Sequence, residues 1–414
     1  MPDVPLTTVL REWGRIGVTG FGGPPAHIRL LRQLCVERKG WLDAREFEDA
    51  IAVCNLMPGP ASTQLAIFCA WRLRGRAGAL IGGAAFIVPG LIVILALAVL
   101  FVSKSPPLAV LGAGAGAGGA VPAVAAAAGW SLAGPSWRNR RSTARWLCYL
   151  AAGLAAAATI GPWLVLVLLA CGAVELVVRK SAGRRADRDR SGAGPDAGGP
   201  DAGGPGGAGP DAGGGGGDKL RGLAAVPLAV TWLAGGGVLA SVAWVAFKVG
   251  ALSFGGGFVI IPLMQADAVG RYHWMTGAQF LNAVALGQVT PGPVVQTVAV
   301  VGYAAAGIAG GLLDSAVAFA PSFAFVLLGG RHFDRIRGDR RARAFLQGAG
   351  PAAIGAIFGS AVTLTRELTH PWQFLVLAGA LVLLFPLRRG VVLTLLAAAA
   401  VGVTVALAAG TVAP

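Results

Sequence analysis

Two Pro-Gly-Pro triplets, Pro58-Gly59-Pro60 and Pro291-Gly292-Pro293, lie in the middle of apolar stretches of this chain. Each proline removes a backbone donor and clashes with the preceding helical turn. A helix that restarts after Pro60 or Pro293 aims free N–H groups and a positive dipole end at whatever faces the break. That chemistry suits an anion, whereas a plain packing kink would explain one triplet more readily than two. Polar side chains flank both breaks. Asn55 and Gln288 each stand three residues before a triplet, and Thr63-Gln64 matches Gln296-Thr297 in reverse order. Amides and hydroxyls donate to an oxyanion without a permanent charge; the alternative role is hydrogen bonding between helices.

A second paired motif precedes the first. Arg15-Ile-Gly-Val-Thr-Gly-Phe-Gly-Gly aligns with Lys248-Val-Gly-Ala-Leu-Ser-Phe-Gly-Gly. Gly22, Gly23, Gly255 and Gly256 allow close approach of backbones, and Arg15 and Lys248 each place a cation six residues before the phenylalanine. Lys248 sits within the apolar run Val242 to Met264. Cations at such positions mark ion pathways or snorkel to the interface. The candidate substrate-binding set is therefore Arg15, Lys248, Gly22, Gly23, Asn55, Pro58, Gly59, Pro60, Gln64, Gly255, Gly256, Gln288, Pro291, Gly292, Pro293 and Gln296.

Other chemistry has little support. Asp314 is a lone acid in an apolar block, with Ile81 at the equivalent position. His27, His273, His332 and His370 lack metal-ligand spacing, so neither metal nor cofactor is expected. Glu12, Glu175, Asp267 and Glu367 fall near predicted helix ends and are expected to be solvated. No G-x-x-x-x-G-K-[ST] is present. A membrane-embedded transferase would need clustered carboxylates, and no apolar block carries a pair of acids. The chain reads as a non-enzyme.

The elements that hold these residues must be membrane helices. Of 414 residues, 55% are apolar and only 13% charged, with 64 glycines; the mean hydropathy is +0.68. A soluble chain of this size carries about a quarter of its residues as charges. The apolar residues form continuous blocks, such as Ala77 to Val102 and Trp146 to Val178, where about 20 residues span a bilayer and a barrel would alternate in segments of about ten. The net charge of +15 comes from basic residues in short loops, the positive-inside pattern, and not from basic clusters interleaved with aromatics; no nucleic-acid partner is expected. Residues 1–15 do not read as a signal peptide. Cys35, Cys54, Cys69, Cys148 and Cys171 never form C-x-x-C, and four lie in apolar blocks, so neither a disulfide framework nor a zinc site is expected.

The chain divides into a first transporter-like repeat (1–180), a linker (181–221) and a second repeat (222–414). The linker begins basic and continues with 14 glycines between Ser191 and Asp218, a composition that cannot offset its ordering entropy. The repeats align without gaps at an offset of 233 residues (Phe21 to Phe254), with 20 identities over the 70 positions from Gly17 to Phe86. This is an internal duplication. The fold class is all-α and polytopic, with two inverted repeats of about six segments plus one extra block at 222–239. Thirteen crossings is the preferred layout, because block 47–73 is long enough to span. An alternative of about ten crossings makes the Pro-Gly-Pro blocks re-entrant and moves the basic loop Arg32 to Arg45 to the cytoplasmic side. Both layouts keep the linker cytoplasmic and the halves inverted.

A basic residue, Gly17 or Gly250, Phe-Gly-Gly, Trp41 or Trp274, then Pro-Gly-Pro, all duplicated, resembles the long two-domain form of the chromate ion transporter family. The resemblance covers about 1–180 and 222–411, but not the linker. It departs at Pro24-Pro25, where the second half has Gly257-Phe258. It implies secondary-active efflux of chromate across the inner membrane, with sulfate or another anion as the alternative substrate. The expected partners are a chromate- or sulfate-like oxyanion and the lipid bilayer, with a homodimer as one option for an oligomeric state that the sequence leaves open. The residues themselves argue for an oxyanion only.

Overall fold

A computed structural model describes residues 4–57, 59–102, 106–159, 164–192, 237–253, 260–329 and 340–410, without the side chains of 55, 56, 182–192, 340 and 342. The described residues form fourteen α-helices, and the protein is an all-α polytopic membrane protein. The first half supplies α1 (Leu6–Thr19), α2 (Pro24–Arg32), α3 (Ala44–Leu56), α4 (Ala61–Phe101), α5 (Leu108–Arg138), α6 (Thr143–Thr159) and α7 (Leu164–Gly192). The second supplies α8 (Val238–Leu252), α9 (Ile260–Gln265), α10 (Gly277–Val289), α11 (Thr297–Gly329), α12 (Arg340–Arg366), α13 (Pro371–Leu384) and α14 (Val391–Ala409). Most of the extra block expected at 222–239 lies outside the described residues. Helix α7 continues to Gly192, past the expected linker boundary.

Uncommon local features recur at the sequence offset. A π-helical turn follows α2 at Gln33–Arg38 and α9 at Ala266–Arg271. Asp43 caps α3 by accepting from the N–H groups of Arg45 and Glu46. Thr276, its counterpart, caps α10 in a reciprocal box with Gln279. Each cap pairs backbone donors that the start of a helix leaves without an intrahelical partner.

Among the described residues, five helical segments are long and apolar enough to cross a membrane: 61–101, 108–138, 294–329, 343–366 and 391–409. Two of them are bent back on themselves. Arg74 and Gly75 leave helical geometry inside α4, as Ala306 and Gly307 do inside α11. Gly75 (φ +58°) and Gly307 (φ +64°) supply the left-handed residue that such a reversal needs. Past each bend the arms close on one another. The Ala70 carbonyl lies against Gly78, and the Gly302 carbonyl against Gly310.

The block at 47–73 also doubles back. Glu46, in the first turn of α3, forms an ion pair with Arg72, at the far end of the α4 arm 61–73. Both ends of the block therefore share one side, with the Pro-Gly-Pro break at the tip. Thirteen helical residues reach only about 20 Å, short of the ~30 Å hydrocarbon core. The short arms and the ion pair favour the re-entrant alternative for this block: the proline break lets the chain turn, and the pair ties its ends together.

The halves are interlocked. α1 packs on α4 and α8 on α11, and α4 packs on α11 across the halves. α12 packs against α6 and α7, while α5 packs against α13 and α14. One buried apolar core runs through both halves.

Candidate functional site

The breaks of one half meet those of the other. The Gly59 N–H donates to the Ser253 carbonyl at 2.9 Å, and the Gly292 N–H donates to the Gly20 carbonyl at 3.0 Å. Gly59 and Gly292 are repeat equivalents, and so are Gly20 and Ser253. The two bonds are therefore one contact made twice, in opposite senses. Each joins the Pro-Gly-Pro break of one repeat to the residue just before Phe-Gly-Gly in the other.

Side chains reinforce this crossing. The Gly20 carbonyl also accepts from His27 Nε2 at 2.9 Å, which leaves Nδ1 to accept from Ser62 Oγ at 3.4 Å. Gly59 (φ +121°) has Gln64 Nε2 against its Cα, and a Cβ there would lie 3.2 Å from Ser322 Oγ. In the other half, Gly292 (φ +95°) faces Gln296, while the Pro291 carbonyl abuts Gly90 on α4. Gln296 Nε2 donates to the Ile87 carbonyl at 2.6 Å.

These contacts correct the pairing of polar residues around the breaks. Gln64 and Gln296 do the same job on Gly59 and Gly292, so they are equivalent, at an offset of 232. Pro89 and Pro321, and Gly75 and Gly307, follow the same offset. The one-residue slip coincides with the 3-10 turn Val294–Gln296, which replaces the α-helical start of α4. It also makes Gly82, not Ile81, the counterpart of Asp314. Asp314 is fully buried in α11 beside Gly302.

Polar atoms at the crossing remain unpartnered. Thr63 Oγ1, Ser253 Oγ, Gln288 Nε2, Gln296 Oε1 and Ser322 Oγ are buried and have no hydrogen-bond partner among the described residues. Leaving a buried polar group unpaired costs about 1–3 kcal/mol, and such groups call for an explanation such as a ligand or ordered water. Four of the five offer a donor: three hydroxyls and one amide. Helical structure resumes directly after Pro60 and after Pro293.

The structure therefore brings together Gly59, Pro60, Gln64, Pro291, Gly292, Pro293 and Gln296, with Gln288 buried in the last turn of α10. Gly22 (φ +97°) and Gly23 (φ +72°) form the turn into α2. Pro58, Gly255, Gly256 and the Asn55 side chain lie outside the described residues. Arg15 is on the outside: its side chain is 59% exposed, 3.8 Å from Glu12. Lys248 is largely buried and forms an ion pair with Asp267, with Trp244 beneath it at 5.7 Å. Asp267, expected to be solvated, is buried, as is Glu175. Each is held by a cation: Lys248 for Asp267, Arg145 and Arg179 for Glu175. Sequence reasoning missed His27, Ser253 and Ser322. Ser322 faces Gly59 from 263 residues further along the chain, and no local pattern signals it.

The fold and this crossing of broken helices define a polytopic membrane protein of transporter type. The chain belongs to the chromate transporter family, whose pattern matches residues 7–176 and 240–403. It is 29% identical over 374 residues to the chromate transport protein of Cupriavidus metallidurans, covering 88% of this chain and 84% of that protein. It is 27% identical over 379 residues to the chromate transport protein of Pseudomonas aeruginosa (88% and 82% covered). It is 26% identical over 374 residues to the probable chromate transport protein of Synechococcus elongatus (89% and 87%). No solved structure matches the chain.

Proposed function

We propose that this protein is a secondary active transporter that carries chromate, a tetrahedral divalent oxyanion, out across the cytoplasmic membrane. The observation that carries the reading is the set of buried donors with no partner among the described residues, Thr63, Ser253, Gln288 and Ser322, on the segments that flank the breaks. Hydroxyl and amide donors at two helix starts suit an anion with four equivalent oxygens. The two halves form inverted repeats, 1–180 and 222–414, joined by a cytoplasmic linker. The reciprocal bonds Gly59–Ser253 and Gly292–Gly20 then act as a symmetric hinge about which the site opens to one side or the other.

Charge enters through Lys248. An oxyanion cannot enter a low-dielectric cavity without a counter-charge, because its desolvation costs at least several kcal/mol. Lys248 serves by exchanging Asp267 for the anion, and Arg15, near the water, draws anions toward the mouth. The deciding experiment is uptake of labelled chromate into everted vesicles, with and without a proton gradient and with sulfate as competitor. Accumulation that needs the gradient supports the reading. Equal uptake after the gradient is collapsed removes secondary active transport, and stronger uptake of sulfate than of chromate reassigns the substrate.

A further inference from the structure

A polar cavity that shares no lining residue with the breaks lies where the α5–α6 turn meets α7 of the first half and α12 of the second. Its volume is about 500 Å³. Arg140, Arg141, Arg145 and Arg343 line it, and Glu175 is the single carboxylate among its described lining residues. That carboxylate is already committed. Arg179 Nε approaches one oxygen at 3.2 Å; Arg145 Nη1, at 3.6 Å, and the Tyr149 hydroxyl, at 3.2 Å, share the other. Arg179 itself stands behind the cavity and also donates to Gln347. Among the described residues Arg140 has neutral partners: its guanidinium stacks 3.6 Å over Trp137, donates to the Trp137 carbonyl at 2.7 Å and reaches Thr143 Oγ1 at 3.1 Å. Four arginines thus stand against one carboxylate among the described lining residues.

The surroundings are amphipathic. Trp137 and Trp146 pack edge to face at 4.9 Å beside the arginines. Leu346 and Pro351 complete the wall, and Leu147, next on α6, points outward. Tryptophans and arginines at the end of apolar helices mark a membrane–water interface. Basic pockets between helices on the cytoplasmic side take lipid phosphate.

The geometry points to a binding site for a phosphate-bearing anion, and specifically for the headgroup of an anionic phospholipid bridging the two halves. The Arg140, Arg141 and Arg343 guanidiniums meet the phosphate, and the Trp146 and Leu346 side chains meet the glycerol and upper acyl chain. A ligand held here joins α6 and α7 to α12, and so stabilises the assembled chain.

The test uses the full-length protein in zwitterionic detergent, with thermal unfolding and native mass spectrometry as readouts. Phosphatidylglycerol should raise the unfolding temperature and remain bound, while phosphatidylcholine should do neither. R141A/R343A should need about thirty-fold more phosphatidylglycerol, since each basic residue near a membrane surface contributes about 1 kcal/mol. R141K/R343K should keep most of the effect, which separates lost charge from lost folding. If R141A/R343A yields no folded protein, the parent's preference for phosphatidylglycerol and the Lys variant's retention of it decide the matter. Equal stabilisation by phosphatidylcholine, or an unchanged response of R141A/R343A, overturns the proposal. Inorganic phosphate or sulfate reproducing the full shift also overturns it, by assigning the pocket to a free oxyanion.

Discussion

Lys248 and Asp267 are a buried pair, and the single variants of such a pair confuse two effects. Removing one partner leaves the other charge uncompensated, at about 3–5 kcal/mol. Lys248→Ala is therefore expected to lower membrane abundance as well as transport. Lys248→Ala with Asp267→Asn removes both charges and should recover abundance, yet transport chromate at least ten-fold more slowly per molecule. If the double variant matches the parent in vesicle uptake, the counter-charge lies elsewhere. Ser322 gives a cleaner test, because its hydroxyl has no partner to lose among the described residues. A hydrogen bond to a charged group contributes about 1.5–3 kcal/mol. Ser322→Ala should raise the half-saturating chromate concentration about ten-fold or more, with an unchanged unfolding temperature. A fall in stability with unchanged affinity would make Ser322 structural.

At the level of elements, the two hairpins depend on their glycine bends. Gly75 has φ +58° and ψ −144°, a region where side chains are strained, although a Cβ there would meet open space. The expected cost of Gly75→Ala is the backbone term alone, about 1–3 kcal/mol. Gly307→Ala should cost the same, since its geometry is nearly identical and its surroundings are also open. Thermal unfolding of each purified variant measures this; the two shifts should agree within error. A markedly larger loss at one bend would mean that the two hairpins are not equivalent in stability.

At the level of the whole molecule, neither half completes itself. α5 lies on α13 and α14, and α12 on α6 and α7. Residues 1–192 and 218–414, expressed as separate chains in one cell, should co-purify and restore chromate transport. Each half alone should be degraded, because its long helices lose the surfaces they pack on. A first half that accumulates alone as a stable monomer would show that the interlocking is dispensable. The same design tests the linker, whose residues 193–217 are then absent.

The sequence by itself determined the fold class, the duplication, the positions of the breaks and the family, because each rests on local composition or on residue types repeated at a fixed spacing. Pro-Gly-Pro breaks a helix wherever it stands, and blocks poor in charge must find lipid or protein. The re-entrant path of block 47–73 was legible only as an alternative, since length alone cannot separate a bent segment from a straight one; the Glu46–Arg72 pair separates them. The equivalence of Gln64 with Gln296 was hidden by a one-residue slip at a 3-10 turn. The crossing of Gly59 to Ser253 and of Gly292 to Gly20, the role of Ser322, and the burial of Asp267 beneath Lys248 were decided by tertiary structure alone. Each joins residues far apart in the chain or facing one another across a turn, and what fixes them is the packing of one interlocked half against the other.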